Sequence, residues 1–127
     1  MNIIIRVNSS YDKLIYSFVK FLCKELSILP RTLAIASYNL DESTGMCFDE
    51  DDGTYTILVK EKNRKIESVF TTIAHEMVHV KQYMFDDLGR LLDECVDVPY
   101  EQRWWEIEAK TKSLVLLEKF SKKIEKK

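Results

Sequence analysis

The sequence predicts a small α+β domain, in which a mostly antiparallel sheet of three to four strands packs on a central helix, an N-terminal helix and a C-terminal helix. Three observations favour this fold class. Short β-branched segments alternate with segments of helical apolar spacing, no internal repeat is present, and no linker rich in Gly or Pro divides the chain. The length of 127 residues fits a single domain spanning residues 1–127.

The N-terminal part of the chain predicts a strand, a helix and a second strand. The β-branched run from Ile3 to Val7 indicates the first strand. Ser9 or Ser10 can cap the helix that follows, in which apolar residues from Leu14 to Leu26 recur at helical spacing. Thr32 to Tyr38 indicates the second strand.

Turn-forming residues separate the next two strands. Asp41 to Thr44, followed by Gly45, predicts a turn, and Met46 to Phe48 predicts a short strand. The acidic Asp-Gly segment at 49–53 predicts a hairpin tip, since it lacks the alternating ligand spacing of a calcium loop. Thr54 to Glu61 gives the strongest strand signal in the chain because it is rich in Thr, Tyr, Ile and Val.

Two long helices are predicted in the C-terminal half. They run from Ile66 to about Phe85 and from Tyr100 to about Ile124. Between them, Leu91 to Val96 can form one or two helical turns. The last helix ends in lysines, as expected for a solvated helix C-terminus, at Lys119, Lys122, Lys123, Lys126 and Lys127.

Composition and charge argue against several functional classes. The net charge of -2 does not indicate a general nucleic-acid binder, and no apolar run approaches the ~20 residues of a membrane span. The odd number and wide spacing of Cys23, Cys47 and Cys95 indicate reduced thiols. Because the N-terminus also lacks a signal-peptide pattern, we expect a cytoplasmic protein that binds neither nucleic acid nor a membrane.

A metal-binding motif lies in the helix predicted from Ile66 to Phe85. His75, Glu76 and His79 form the pattern HExxH, and the chain has no other histidine. Residues four apart lie one turn above each other, so both imidazoles can bind one ion. Zinc suits two imidazoles plus a carboxylate, and Glu76 has the position of a general base. The polar stripe of this helix consists of Thr72, His75, His79 and Gln82.

The third ligand is expected on the last helix. A third histidine does not exist, and Glu106 shares a helix face with the small residues Ala109 and Ser113, which would allow close approach to the histidines. Glu108 faces a bulkier, more solvated surface and is the second choice. Competing ligands are Asp86, Asp93, Asp97 and Cys95.

The HExxH helix followed by Glu106-Ile107-Glu108-Ala109 resembles the gluzincin division of the zincins, in particular small single-domain zinc metallopeptidases of phages and bacteria, and more distantly SprT-like domains. The resemblance implies a zincin-like fold, a Zn2+ cofactor and Glu106 as ligand. It also implies that a peptide or protein substrate pairs with Thr54 to Glu61 as an edge strand. Many relatives carry Asp or Asn where this chain has Lys110.

The expected activity is peptide-bond hydrolysis by metal-activated water, with Glu76 as general base. Tyr83, Tyr100 and Arg103 are unranked candidates for stabilising the oxyanion. Two alternatives stay open. One is a non-catalytic or regulatory zinc-binding protein with a structural or degenerate site, and the other is a different zinc amidase that uses a Cys ligand.

Overall fold

The computed structural model describes residues 1–39 and 43–125, and over these residues the fold is α+β with one four-stranded sheet. The predicted turn from Asp41 to Thr44 lies partly outside the described residues, as do Lys126 and Lys127. In chain order the elements are β1 (Asn2–Arg6), α1 (Asp12–Glu25), β2 (Thr32–Ser37), β3 (Gly45–Asp49), β4 (Thr54–Val59), α2 (Ile66–Phe85), α3 (Leu88–Glu94), a 3-10 turn (Tyr100–Gln102) and α4 (Trp104–Glu125).

The sheet is mixed, so the prediction of a mostly antiparallel sheet is wrong. The strand order is β1-β2-β4-β3, in which β1, β2 and β4 are parallel and only β3 runs antiparallel to its neighbour. The strand–helix–strand order at the N-terminus explains the parallel pairing of β1 and β2. Helix α1 carries the chain back along the sheet, and adjacent strands joined by such a crossover are parallel.

Strand β4 lies inside the sheet, so the expectation that Thr54 to Glu61 forms an edge strand is also wrong. The tight turn at 50–53 joins β3 to β4 as the predicted hairpin, and β4 then inserts between β3 and β2. It ends at Val59, before Glu61. The edge strand on this side of the sheet is therefore β3.

The hydrophobic core lies between one face of the sheet and the helices. Alternate residues of β2 and β4 are buried with the apolar faces of α1, α2 and α4 in one cluster. Three phenylalanines join the helices, since the ring centroid of Phe18 in α1 lies 4.8 Å from those of both Phe70 in α2 and Phe120 in α4. Helix α2 is central, since it contacts the sheet and the helices α1, α3 and α4.

The other helix predictions have mixed outcomes. The bounds predicted for α2 are confirmed. A short helix is present near the helical turns predicted at Leu91 to Val96, but it runs from Leu88 to Glu94. The cap predicted at Ser9 or Ser10 is wrong, because the N-cap residue of α1 is Tyr11 and no side chain caps the helix. None of the helices in the described ranges has the length and apolar character needed to cross a membrane.

A close contact between β3 and α2 requires glycine at position 45. A Cβ atom there would lie 2.4 Å from Cγ2 of Thr72 and 3.3 Å from Cγ of Glu76. Thr72 cannot turn away freely, because its hydroxyl accepts a 2.7 Å hydrogen bond from Arg64 and its branched Cβ restricts χ1.

We expect Gly45→Ala to lower the free energy of unfolding by about 1–3 kcal/mol, as overpacking does elsewhere. Gly89→Ala is the matched control, since Gly89 lies in α3 with no atom within 4 Å of the added Cβ, and it should raise stability by about 0.5–1 kcal/mol. Urea denaturation of both variants measures the difference. A Gly45→Ala variant as stable as the original chain would contradict the close contact.

Candidate metal centre

Burial of one face of α2 fixes the direction of its polar face. The apolar stripe that orients the helix is Val69, Phe70, Ile73, Ala74, Met77 and Val78, all of them buried. Because the helix cannot rotate without exposing this stripe, His75 and His79 point towards α4. Thr72, Glu76 and Gln82 are also buried polar residues of this helix. Thr72 and Glu76 lie against Gly45 of β3, whereas Gln82 contacts α4.

Helix α4 supplies the carboxylate that meets these histidines. Its buried face includes Trp105, Ala109 and Ser113. The small side chains at positions 109 and 113 allow α4 to lie directly on α2. The carboxylate of Glu106 then lies between the two imidazoles.

The three side chains form one cluster, here called the metal-site cluster (His75, His79 and Glu106). Oε1 of Glu106 lies 3.0 Å from Nε2 of His75 and 3.1 Å from Nε2 of His79. The two imidazole rings are 4.9 Å apart and nearly perpendicular. One ligand atom from each residue falls within 4.8 Å of the others, so this cluster could hold a metal ion.

The competing ligands are not part of this cluster. Within residues 1–39 and 43–125, no other group of three or more His, Cys, Asp or Glu side chains meets this geometry. The carboxylate of Asp86 instead pairs with the ammonium of Lys81 at 2.8 Å. Glu108, the second-choice ligand, accepts hydrogen bonds from Lys81 and Gln82.

Glu76 lies beside the cluster in the wall of an open cleft of about 630 Å³. Its side chain is buried, and burial raises its pKa, while the neighbouring His79 and His75 oppose that effect and Glu106 adds to it. A buried carboxyl with a raised pKa beside such a cluster is suited to accepting and returning a proton.

Two of the three residues considered for oxyanion stabilisation line the cleft. The hydroxyl of Tyr100 donates to Oε1 of Glu106 at 3.2 Å, and Tyr83 lies further along the cleft wall. Arg103 instead donates from Nε to the carbonyl of Val98 at 2.9 Å, and it is not among the described residues that line the cleft. Burial raises the pKa of Tyr83 to about 12, so its hydroxyl remains a donor at neutral pH.

Several other residues of the site were not predicted from the sequence. Leu88 and Leu92 of α3 line the cleft opposite β3, and Cys47 of β3 lines it near Glu76. Gln82 contacts the metal-site cluster through His79. Its place three residues after His79 was a usable signal, because side chains at i and i+3 are neighbours on a helix. The contacts that β3 and α3 make at the cleft depend on packing between elements far apart in the sequence. No local sequence pattern predicts them.

The ionisation of the cluster follows from its contacts. Burial raises the pKa of Glu106, but the hydrogen bonds and charges of His75 and His79 outweigh burial and hold that pKa far below its usual value. Burial lowers the pKa of His79, but Glu106, Glu76 and Gln82 outweigh it, and the net pKa is raised. Without a metal the histidine proton therefore stabilises the carboxylate.

This pairing predicts how the stability of the metal-free protein depends on pH. Because folding raises the pKa of His79, protonated His79 contributes to the stability of the fold. This contribution is complete below the ordinary pKa of 6.5 and is lost as pH rises through the folded-state pKa. Because folding lowers the pKa of Glu106, ionised Glu106 also contributes to the stability of the fold. This contribution is present above the ordinary pKa of 4.5 and is lost as pH falls through the folded-state pKa. The pairing therefore stabilises most between pH 4.5 and 6.5.

We expect Glu106→Gln to destabilise the metal-free protein by about 1–3 kcal/mol between pH 4.5 and 6.5, which is the range for hydrogen bonds to charged groups. The loss should be smaller towards about pH 9, where His79 loses its proton. Denaturation in the presence of a chelator measures this difference. Glu101→Gln, at an exposed residue of the 3-10 turn, is the control. A loss of stability that grows with rising pH would contradict the pairing.

Comparison with known proteins does not assign the chain to a family. The function proposed below therefore depends on the geometry and chemistry of the metal-site cluster and the cleft. No family model matches the sequence, and neither a curated protein nor a solved structure matches it.

Proposed function

We propose that this protein is a zinc-dependent peptidase in which His75, His79 and Glu106 bind the metal and Glu76 is the general base. The observation that carries the proposal is the convergence of three ligand atoms beside a buried carboxylate in the wall of an open cleft. The zincin-like character of the fold and action in the cytoplasm are parts of the same proposal. The three free cysteines support a reducing compartment.

The donor set supports zinc. Two imidazole nitrogens and one carboxylate oxygen are a common set of protein ligands at catalytic zinc sites, whereas structural zinc sites are closed by four protein ligands. Within the described part of the chain, no fourth His, Cys, Asp or Glu joins the metal-site cluster. Three ligands at a cleft favour a catalytic role over a structural one, because one coordination position is left for water or substrate.

Glu76 would carry out the proton transfers. When bound, zinc supplies a Lewis acid for the scissile carbonyl and makes water a nucleophile near neutral pH. The Glu76 carboxylate accepts the proton of the attacking water and then delivers it to the nitrogen of the departing amine. Burial raises its pKa, which favours return of the proton to the leaving amine.

The tyrosine hydroxyls in the cleft support the same chemistry. Attack on a peptide carbonyl places negative charge on its oxygen, and a donor directed at that oxygen stabilises the charge. Tyr100 and Tyr83 both line the cleft and retain their protons, because burial raises the pKa of each. We therefore assign oxyanion stabilisation to these two residues and not to Arg103.

The substrate would bind along β3 and not along β4. Strand β3 is the edge of the sheet next to α2, and Gly45 brings its backbone against Glu76. An edge strand offers unpaired backbone donors and acceptors to an extended peptide, which gives affinity with little sequence preference. The apolar side chains of Leu88 and Leu92, across the cleft, would contact substrate side chains.

We expect Glu76→Gln to reduce cleavage of an unfolded protein such as casein by a factor of about 10²–10⁴ while zinc remains bound. Glu67→Gln, at an exposed residue in the first turn of the same helix, should retain activity. Zinc content is measured by elemental analysis and cleavage by gel electrophoresis with and without a chelator.

Each alternative function predicts a different result in this experiment. Stoichiometric zinc without cleavage of unfolded proteins would indicate a non-catalytic or regulatory zinc protein. Loss of zinc on mutation of Cys95, which is outside the metal-site cluster, would indicate an amidase with a Cys ligand. Equal activity in the original chain and in Glu76→Gln would remove the general-base assignment.

A further inference from the structure

Gln82 is completely buried between α2 and α4 and makes three hydrogen bonds. Its Oε1 lies 2.7 Å from Nδ1 of His79. Its Nε2 donates to the carbonyl oxygen of Trp105 at 2.9 Å and to Oε1 of Glu108 at 2.8 Å. This one side chain therefore connects a histidine of the metal-site cluster with the helix that carries Glu106.

The two acceptors on α4 determine how the Gln82 amide is oriented. A backbone carbonyl and an ionised carboxylate only accept hydrogen bonds, so the NH₂ group of Gln82 must face Trp105 and Glu108. Neighbouring cations keep Glu108 ionised, because Lys81 and Lys112 lie 3.3 Å and 3.4 Å from its oxygens. The amide oxygen of Gln82 is thereby left for His79.

We infer that Gln82, held by Glu108 and the Trp105 carbonyl, is a positioning residue that fixes His79 with its proton on Nδ1 and its Nε2 free for a metal. An amide oxygen can only accept, so Nδ1 of His79 must carry the hydrogen that joins them. This inference rests on the proposed metal site. It also gives Glu108 a role other than that of a ligand, since Glu108 acts on His79 through Gln82.

The Gln82 contact gives His79 the kind of support that a metal-binding histidine usually has. A histidine that binds a metal usually donates its other ring N–H to a carboxylate, a carbonyl or water, which fixes the ring and raises its basicity. Position 110, four residues after Glu106, is Lys110, and a cation cannot accept that hydrogen bond. Gln82 comes from the histidine-bearing helix itself and supplies an acceptor that is linked to the anionic Glu108.

Zinc affinity and the His79 ring hydrogens provide two independent readouts. We expect Gln82→Met, which retains length but replaces the amide oxygen with a weakly accepting sulfur, to weaken zinc binding about 10- to 100-fold in a chelator competition. The same change at the other glutamine, Gln102→Met, alters an exposed residue and should leave zinc affinity unchanged.

Nitrogen-15 NMR of the original chain tests the inference even if Gln82→Met does not fold. With only two histidines, the ring signals are readily assigned. The inference requires zinc on Nε2 of His79 and a slowly exchanging hydrogen on Nδ1. Zinc on Nδ1, or unchanged zinc affinity in a folded Gln82→Met variant, would overturn it.

Failure of the metal site itself gives a different pattern. If the original chain binds no zinc, the proposed function fails, but the Gln82 contact is still measurable in the metal-free protein at about pH 5, where both ring nitrogens carry hydrogens. Slow exchange of the Nδ1 hydrogen that becomes fast in Gln82→Met supports the contact. Equally fast exchange in both proteins contradicts it.

Discussion

The contact of one carboxylate oxygen with two imidazole nitrogens is the interaction on which the site depends. Oε1 of Glu106 can approach both His75 and His79 only because α4 lies directly on α2, and the small buried side chains of Ala109 and Ser113 permit that approach. The same contact lowers the pKa of Glu106 and raises that of His79. A metal bound here would displace the Nε2 hydrogens that join the two rings to Glu106. The packing that brings the ligands together therefore also makes protons compete with a metal for the site.

The sheet contributes the opposite wall of the cleft. Because β4 inserts between β2 and β3, the hairpin places β3 at the edge, where its backbone is within reach of α2. Gly45 permits contact with Thr72 and Glu76 that any side chain would obstruct. A buried carboxylate, an unpaired strand edge and the metal-site cluster thus meet in one cleft. The proposed mechanism needs a base, a peptide-binding edge and a metal close together, and the strand order brings them together.

Local patterns in the sequence predicted the parts of the site that lie along single helices. The period of apolar residues gave the bounds of α2, and the small residues at 109 and 113 distinguished the face of Glu106 from that of Glu108. Strand order could not be obtained in this way. Alternating apolar residues in β4 indicate which face is buried, but they do not indicate which strands lie on either side. The roles of Gln82 and Glu108 likewise depend on α2–α4 packing, because their contact joins residues on two separate helices.

Both nitrogens of His79 depend on the position of α4. Nε2 meets Glu106 directly, and Nδ1 meets Gln82, whose orientation is set by Trp105 and Glu108. Residues 105, 106 and 108 all lie near the N-terminal end of α4. A small rotation of that end of the helix would disturb the ligand and the histidine support together. A metal bound by the metal-site cluster would therefore stabilise the packing of α4 on α2, since a ligand that binds only the assembled state stabilises that state.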